Sequence, residues 1–153
     1  MDHIAGQKQV DVVPLDIKAV TVHAPHMNPL YATTKQGTIG ELIVQLRLLE
    51  YDVQAAAPIK DSGNDLIAIR CDVFRAIQVR SSTRGRIVKP KKRVSYDILA
   101  VVKLLKKDGR FIIKEAEIFF FSKDDVEKIS GNVSKYPKNL LNQEVIEQFF
   151  HKQ

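Results

Sequence analysis

A chain of 153 residues, 44% hydrophobic and 27% charged, has the composition of one ordinary globular domain long enough to bury a core. It carries no apolar run near the roughly 20 residues of a membrane span, no basic-then-apolar leader pattern at its start, and one cysteine, Cys71, which can make no intramolecular disulfide; these features predict a cytoplasmic protein. The 24 Lys and Arg against 18 Asp and Glu leave a net charge of +6, a balance that favours polyanionic partners through counterion release.

In chain order, residues 1–36 come first as an N-terminal arm. Pro14, Pro25 and Pro29 interrupt short β-prone pieces at 10–13 and 19–22, and no helical period is visible. His23 and His26 lie here without a third ligand nearby, so this pair is read as chance rather than as a metal site. The better-defined domain runs from 37 to 153. Thr38 followed by Glu41 has capping-box spacing and predicts a helix start. Ile39, Leu42, Ile43, Leu46 and Leu49 then recur at helical intervals, which predicts a buried stripe ending near Tyr51.

A short strand is expected at 52–56, and Lys60-Asp61-Ser62-Gly63-Asn64 is rich in turn formers. Residues 66–70 and 74–80 form a predicted hairpin across Cys71-Asp72-Val73. A second pair, 96–105 and 110–121, flanks the tight-turn dipeptide Asp108-Gly109. A helix over 139–150 closes the chain. Helix, several strands, helix predicts an α/β sandwich around a mixed sheet.

Three strings in this order carry a family resemblance: Gly37-Thr38-Ile39-Gly40-Glu41, Asp61-Ser62-Gly63-Asn64-Asp65-Leu66, and Ile77-Gln78-Val79-Arg80-Ser81-Ser82. Over residues 35–121 the chain resembles the PD-(D/E)XK nuclease superfamily. Its nearest flavour is the small group I intron-associated homing endonucleases, and archaeal Holliday-junction resolvases are more distant cousins. The resemblance implies a restriction-endonuclease-like α/β/α sandwich with a central mixed sheet. It implies that Asp65 is the principal ligand of a Mg²⁺ or Mn²⁺ ion, with the Gln78 side-chain carbonyl, the Val79 backbone carbonyl and Glu41 assisting. The catalytic group it implies is Glu41, Asp65, Gln78 and Arg80.

The chemistry is consistent in kind, since a hard cation takes oxygen ligands and keeps several waters. Residues 65, 78 and 80 share one sheet face only if 65 pairs with 78 or 80; a slip of one residue opposes Asp65 to Val79. Sequence leaves that register open, and the resemblance selects the productive one. Three positions depart from the family pattern. Asn64 stands where proline is common, Gln78 replaces an acid, and Arg80 replaces lysine. An arginine can hold a phosphate oxygen but cannot give up a proton, so it serves as no general base.

A second signal lies downstream. Residues 76–95 contain no acid, while Arg84, Arg86, Lys89, Lys91, Lys92 and Arg93 crowd together around Gly85 and Pro90, as a loop suited to a DNA backbone would. Without interleaved aromatics this segment favours duplex over single-stranded DNA. The expected function is a Mg²⁺-dependent DNA endonuclease acting on double-stranded DNA, site-specific and homo-oligomeric as a dimer or tetramer. Two alternatives stand beside it: a nuclease-fold DNA-binding protein disabled by Arg80, and a resolvase-like binder of branched DNA.

Overall fold

The computed structural model describes residues 31–59 and 63–151. The expected arm up to residue 30, with His23 and His26, and the turn residues Lys60, Asp61 and Ser62 lie outside the described residues.

The long helix α1 (Ala32–Leu49) leads into β1 (Gln54–Ala56), β2 (Leu66–Arg70) and β3 (Val73–Ser82). After a crossover come β4 (Ile98–Lys103), the small pair β5 (Lys106–Lys107) and β6 (Arg110–Phe111), and β7 (Glu117–Ser122). Helices α2 (Lys123–Val126) and α3 (Gln143–Phe150) follow, separated by two 3-10 turns. Five strands form one sheet in the order β1-β2-β3-β4-β7. Only the β3–β4 pairing is parallel, so the sheet is mixed.

β4 lies inside this order and is buried from Ile98 to Val102, which is why its sequence is a continuous apolar run rather than an alternation. Ile98, Ala100 and Val102 pack with Ile77, Val79 and Phe120 beneath α1 and α3. Leu99 and Val101 face the other way, against Phe119, Phe121, Val126, Ile129 and Val133. The expected α/β sandwich around a mixed sheet is therefore found, with α1 and α3 on one face and α2 and the 3-10 turns on the other.

Several boundaries differ from expectation. α1 starts six residues before Thr38, with Tyr31 at its cap and no side-chain cap bond. Thr38 and Glu41 thus sit inside the helix, and the boundary drawn at 36/37 falls within it. The buried face is also turned. Leu42, Leu46 and Leu49 are 58%, 54% and 60% exposed, whereas Gly40, Ile43, Val44 and Leu48 are buried. The cause is a close approach of α1 to β3. A Cβ on Gly40 would lie 2.8 Å from Ser81 Cβ, so the helix presents its glycine, not its leucine row, to the sheet.

The strand expected over 110–121 is broken by a 3-10 turn, Ile113–Glu115, and only its second half joins the sheet. Asp108 and Gly109 do form the tight turn, both with positive φ, but between the two-residue strands β5 and β6. The last helix begins at Gln143, where Asn142 Oδ1 accepts the Val145 N–H at 2.9 Å.

Candidate active site

The register that sequence left open is set by the Cys71-Asp72 turn, which pairs Arg70 with Val73 and Leu66 with Ile77. Continuing one step, the Asp65 N–H donates to the Ile77 carbonyl at 3.0 Å, which brings Asp65 opposite Gln78. β2 begins there, yet β3 runs on to Ser82. Past residue 77, β3 has lost its neighbour on that side, and its outward backbone groups need other partners.

Those partners build the site. Asp65 Oδ2 accepts the Val79 N–H at 2.7 Å and the Gln78 amide Nε2. The Val79 carbonyl accepts Arg80 Nη1 at 2.9 Å, and the same nitrogen lies 3.8 Å from Asp65 Oδ2. From α1, Gln36 Nε2 donates to the Ser81 carbonyl at 2.8 Å, and Ser81 Oγ donates back to the Gln36 carbonyl at 3.0 Å. This reciprocal pair and the bare Gly40 contact hold α1 against the end of β3. Glu41 is thereby carried over the frayed edge.

The result is a pocket of about 270 Å³ walled by Thr33, Gln36 and Glu41 from the helix and by Asp65, Val79 and Arg80 from the strands. Burial, and next the charge on Asp65, push the Glu41 carboxyl above its usual range; Arg80 pulls it partly back. Two carboxylates that repel each other beside one guanidinium make a place where positive charge is stabilised.

Glu41, Asp65, Val79 and Arg80 thus come together at one opening. Gln78 is only 3% exposed and stands behind Asp65 instead of lining the pocket. Facing a carboxylate oxygen, its amide presents Nε2, so its Oε1 turns toward a cation only if the amide flips. Among the described residues, no group of three or more His, Cys, Asp or Glu side chains could hold a metal ion. The donors at the opening are instead two carboxylates and a backbone carbonyl, all offering oxygen. That suits Mg²⁺ or Mn²⁺, which are held by one or two carboxylates with water and phosphate completing the shell. It does not suit zinc.

The basic segment is the crossover between β3 and β4, residues 83–97, and it leaves directly from the site end of β3. Arg84, Arg86, Lys89, Lys91, Lys92 and Arg93 are the cations it carries, and most of them are open to solvent. The loop is pinned at Gly85 and Ile87, where the Val133 N–H donates to the Gly85 carbonyl and the Ile87 N–H donates to the Gly131 carbonyl. Gly85 has φ +67, and a Cβ there would meet Val133 at 2.9 Å, so no other residue fits without strain. The Lys89 ammonium is tied to the Glu127 carbonyl at 2.9 Å. Lys91 and Lys92 line a groove of about 470 Å³ with Lys123, a cation that the basic run does not include. At its far end the loop brings Val94 against Gly63, two residues before Asp65.

Gln36, Gly40, Ser81 and Lys123 complete these two surfaces, and no local signal in the sequence singles them out. Gly40 and Ser81 fall inside the motif strings, and Gln36 lies in the segment that the sequence reads as an arm.

A mixed five-stranded sheet with helices on both faces defines the class of architecture. Neither a protein-family model nor a curated protein matches the chain. Among solved structures, it is similar to a bacterial homing endonuclease, I-Ssp6803I, at a TM-score of 0.47 and 16% sequence identity, over 66% of this chain and 76% of that one. Among the described residues, no helix is long and apolar enough to cross a membrane.

Proposed function

We propose that the chain is a Mg²⁺-dependent endonuclease of the PD-(D/E)XK type that cuts double-stranded DNA in the cytoplasm. It works as a homo-oligomer, so that two sites address two strands, and its nuclease domain includes the whole of α1 from Ala32. The observation that carries this reading is the convergence of Glu41, Asp65 and the Val79 carbonyl at the frayed edge of β3, beside an exposed basic crossover.

Asp65, Glu41 and the Val79 carbonyl would hold the ion, with Gln78 joining after an amide flip. A bound Mg²⁺ supplies neutralising charge at the scissile phosphate and a more acidic water. Asp65 orients the strand edge through the Val79 N–H, and Glu41, kept partly out of water, accepts a proton or a water hydrogen bond at its carboxylate. Arg80 places fixed positive charge on the phosphate, where a guanidinium fits two oxygens at once.

The test is a pool of randomised duplexes incubated with Mg²⁺ or Mn²⁺, with new ends recovered by sequencing. New ends made by the wild type and missing with Asp65→Asn support the reading. One observation favours the second reading, a binder that does not cut: Arg80 already occupies the Val79 carbonyl. A pool bound tightly but left intact with both metals selects that reading.

DNA affinity is expected to depend on the crossover. Neutralising Lys91, Lys92 and Arg93 together should weaken binding to all sequences and flatten the log–log salt dependence by about 0.9 for each phosphate that is no longer neutralised. A slope unchanged in fluorescence-anisotropy titrations over a salt series would remove the loop from the interface.

A further inference from the structure

Asp65 and the Val79 carbonyl, two of the oxygen donors that the proposed ion requires, converge on one point, and a positive charge of this chain already stands beside it. Arg80 Nη1 is 2.9 Å from the Val79 carbonyl and 3.8 Å from Asp65 Oδ2. Resting on the endonuclease reading, we infer that Arg80 is a tethered cation that fills the metal position in the DNA-free protein. A divalent ion enters only when a DNA phosphate draws the guanidinium away.

The local geometry explains why the arginine rests there. Past the end of β2, the Val79 carbonyl has no ladder partner, and an unsatisfied acceptor beside two carboxylates is costly. A guanidinium satisfies it and offsets the repulsion between Glu41 and Asp65, both of which sense its charge. The pair is half-exposed, with 34% and 26% of the side chains open, so the contact is weak and reversible. Being on the adjacent residue, Arg80 competes at a high effective concentration that free Mg²⁺ must exceed. A DNA phosphate offers it a bidentate partner, which is the stronger contact for a planar fork. The same side chain would then serve two states, closing the site when DNA is absent and binding the phosphate when DNA is present. Idle nuclease would hold its metal poorly.

The experiment titrates Mn²⁺ into DNA-free protein and follows the free ion by electron paramagnetic resonance. It compares wild type with Arg80→Met, which keeps the apolar stem, and with Arg80→Gln as a second check on folding. Arg80→Met should bind Mn²⁺ at least about tenfold more tightly. The gain should persist in about 0.3 M salt, which screens a general field effect. It should vanish when Asp65→Asn is added. An uncleavable duplex should tighten Mn²⁺ binding in the wild type more than in Arg80→Met. Equal or weaker affinity in both Arg80 variants overturns the tethered-cation inference alone, as does a gain that disappears with salt or survives Asp65→Asn. Absence of Mn²⁺ binding in every variant, with duplex and without, overturns the endonuclease reading itself.

Discussion

Asp65→Asn is expected to lower metal-dependent cleavage by at least about a hundredfold, roughly 2.7 kcal/mol of barrier, while the protein melts near the wild-type temperature. The two effects separate because Asp65 has two tasks. As a carboxylate it supplies charge to the proposed ion, which an amide cannot. As an acceptor it satisfies the Val79 N–H and the Gln78 amide, which an asparagine carbonyl can still do. Asp65→Ala removes both tasks. It should lose cleavage equally and also cost about 1–3 kcal/mol of stability, because the Val79 N–H and the buried Gln78 amide are left without their acceptor. Single-turnover rates and thermal melts on the three proteins check this. An Asn variant that cuts as fast as wild type would take Asp65 out of the chemistry.

Gly40→Ala is the second change expected to act strongly, and it contains no chemistry at all. Alanine favours a helix interior over glycine by about 1 kcal/mol, which alone would stabilise α1. Here the new methyl would stand 2.8 Å from Ser81 Cβ and 3.0 Å from Ser81 Oγ. Ser81 Cβ is fixed to a strand and cannot swing aside, so the helix must lift. Overpacking of that kind costs about 1–3 kcal/mol, which outweighs the propensity gain. Lifting α1 breaks the reciprocal Gln36–Ser81 hydrogen bonds and withdraws Glu41 from the pocket. Cleavage should fall about tenfold or more even where the fold is intact, since small misplacements of a reacting group are costly. Adding Ser81→Gly removes the clashing Cβ, so the double variant should be more stable than the sum of the single effects. Strict additivity in chemical denaturation would show that the helix and strand do not meet at Gly40.

Much of the sheet was legible because its signals are local. The Leu66–Arg70 strand, its turn at Cys71-Asp72 and the Asp108-Gly109 turn each depend on a few adjacent residues. The opposition of Asp65 to Gln78 follows from counting back from that first turn, once the turn length is known. The rotation of α1 was not legible. Its leucines at 42, 46 and 49 make the stronger apolar stripe, and only a contact between Gly40 and Ser81, far apart in sequence, turns them outward. The helix start was missed for a related reason. Tyr31 caps α1 without a side-chain bond, whereas Thr38 and Glu41 offer a false capping signal one turn and more inside it. The second layer is implied by the family resemblance alone, since α2 and the two 3-10 turns that build it are too short to show a period.

A divalent ion standing between Asp65 and the Val79 carbonyl is the centre of the proposed chemistry. Replacing Mg²⁺ with Fe²⁺ in the duplex-bound protein, then adding ascorbate and peroxide, generates radicals that cut the polypeptide beside the ion. Mass spectrometry of the fragments should place the breaks next to Asp65 and Val79, with excess Mg²⁺ or Asp65→Asn suppressing them. Breaks confined to other segments, or breaks at these positions that survive Asp65→Asn, would contradict the account.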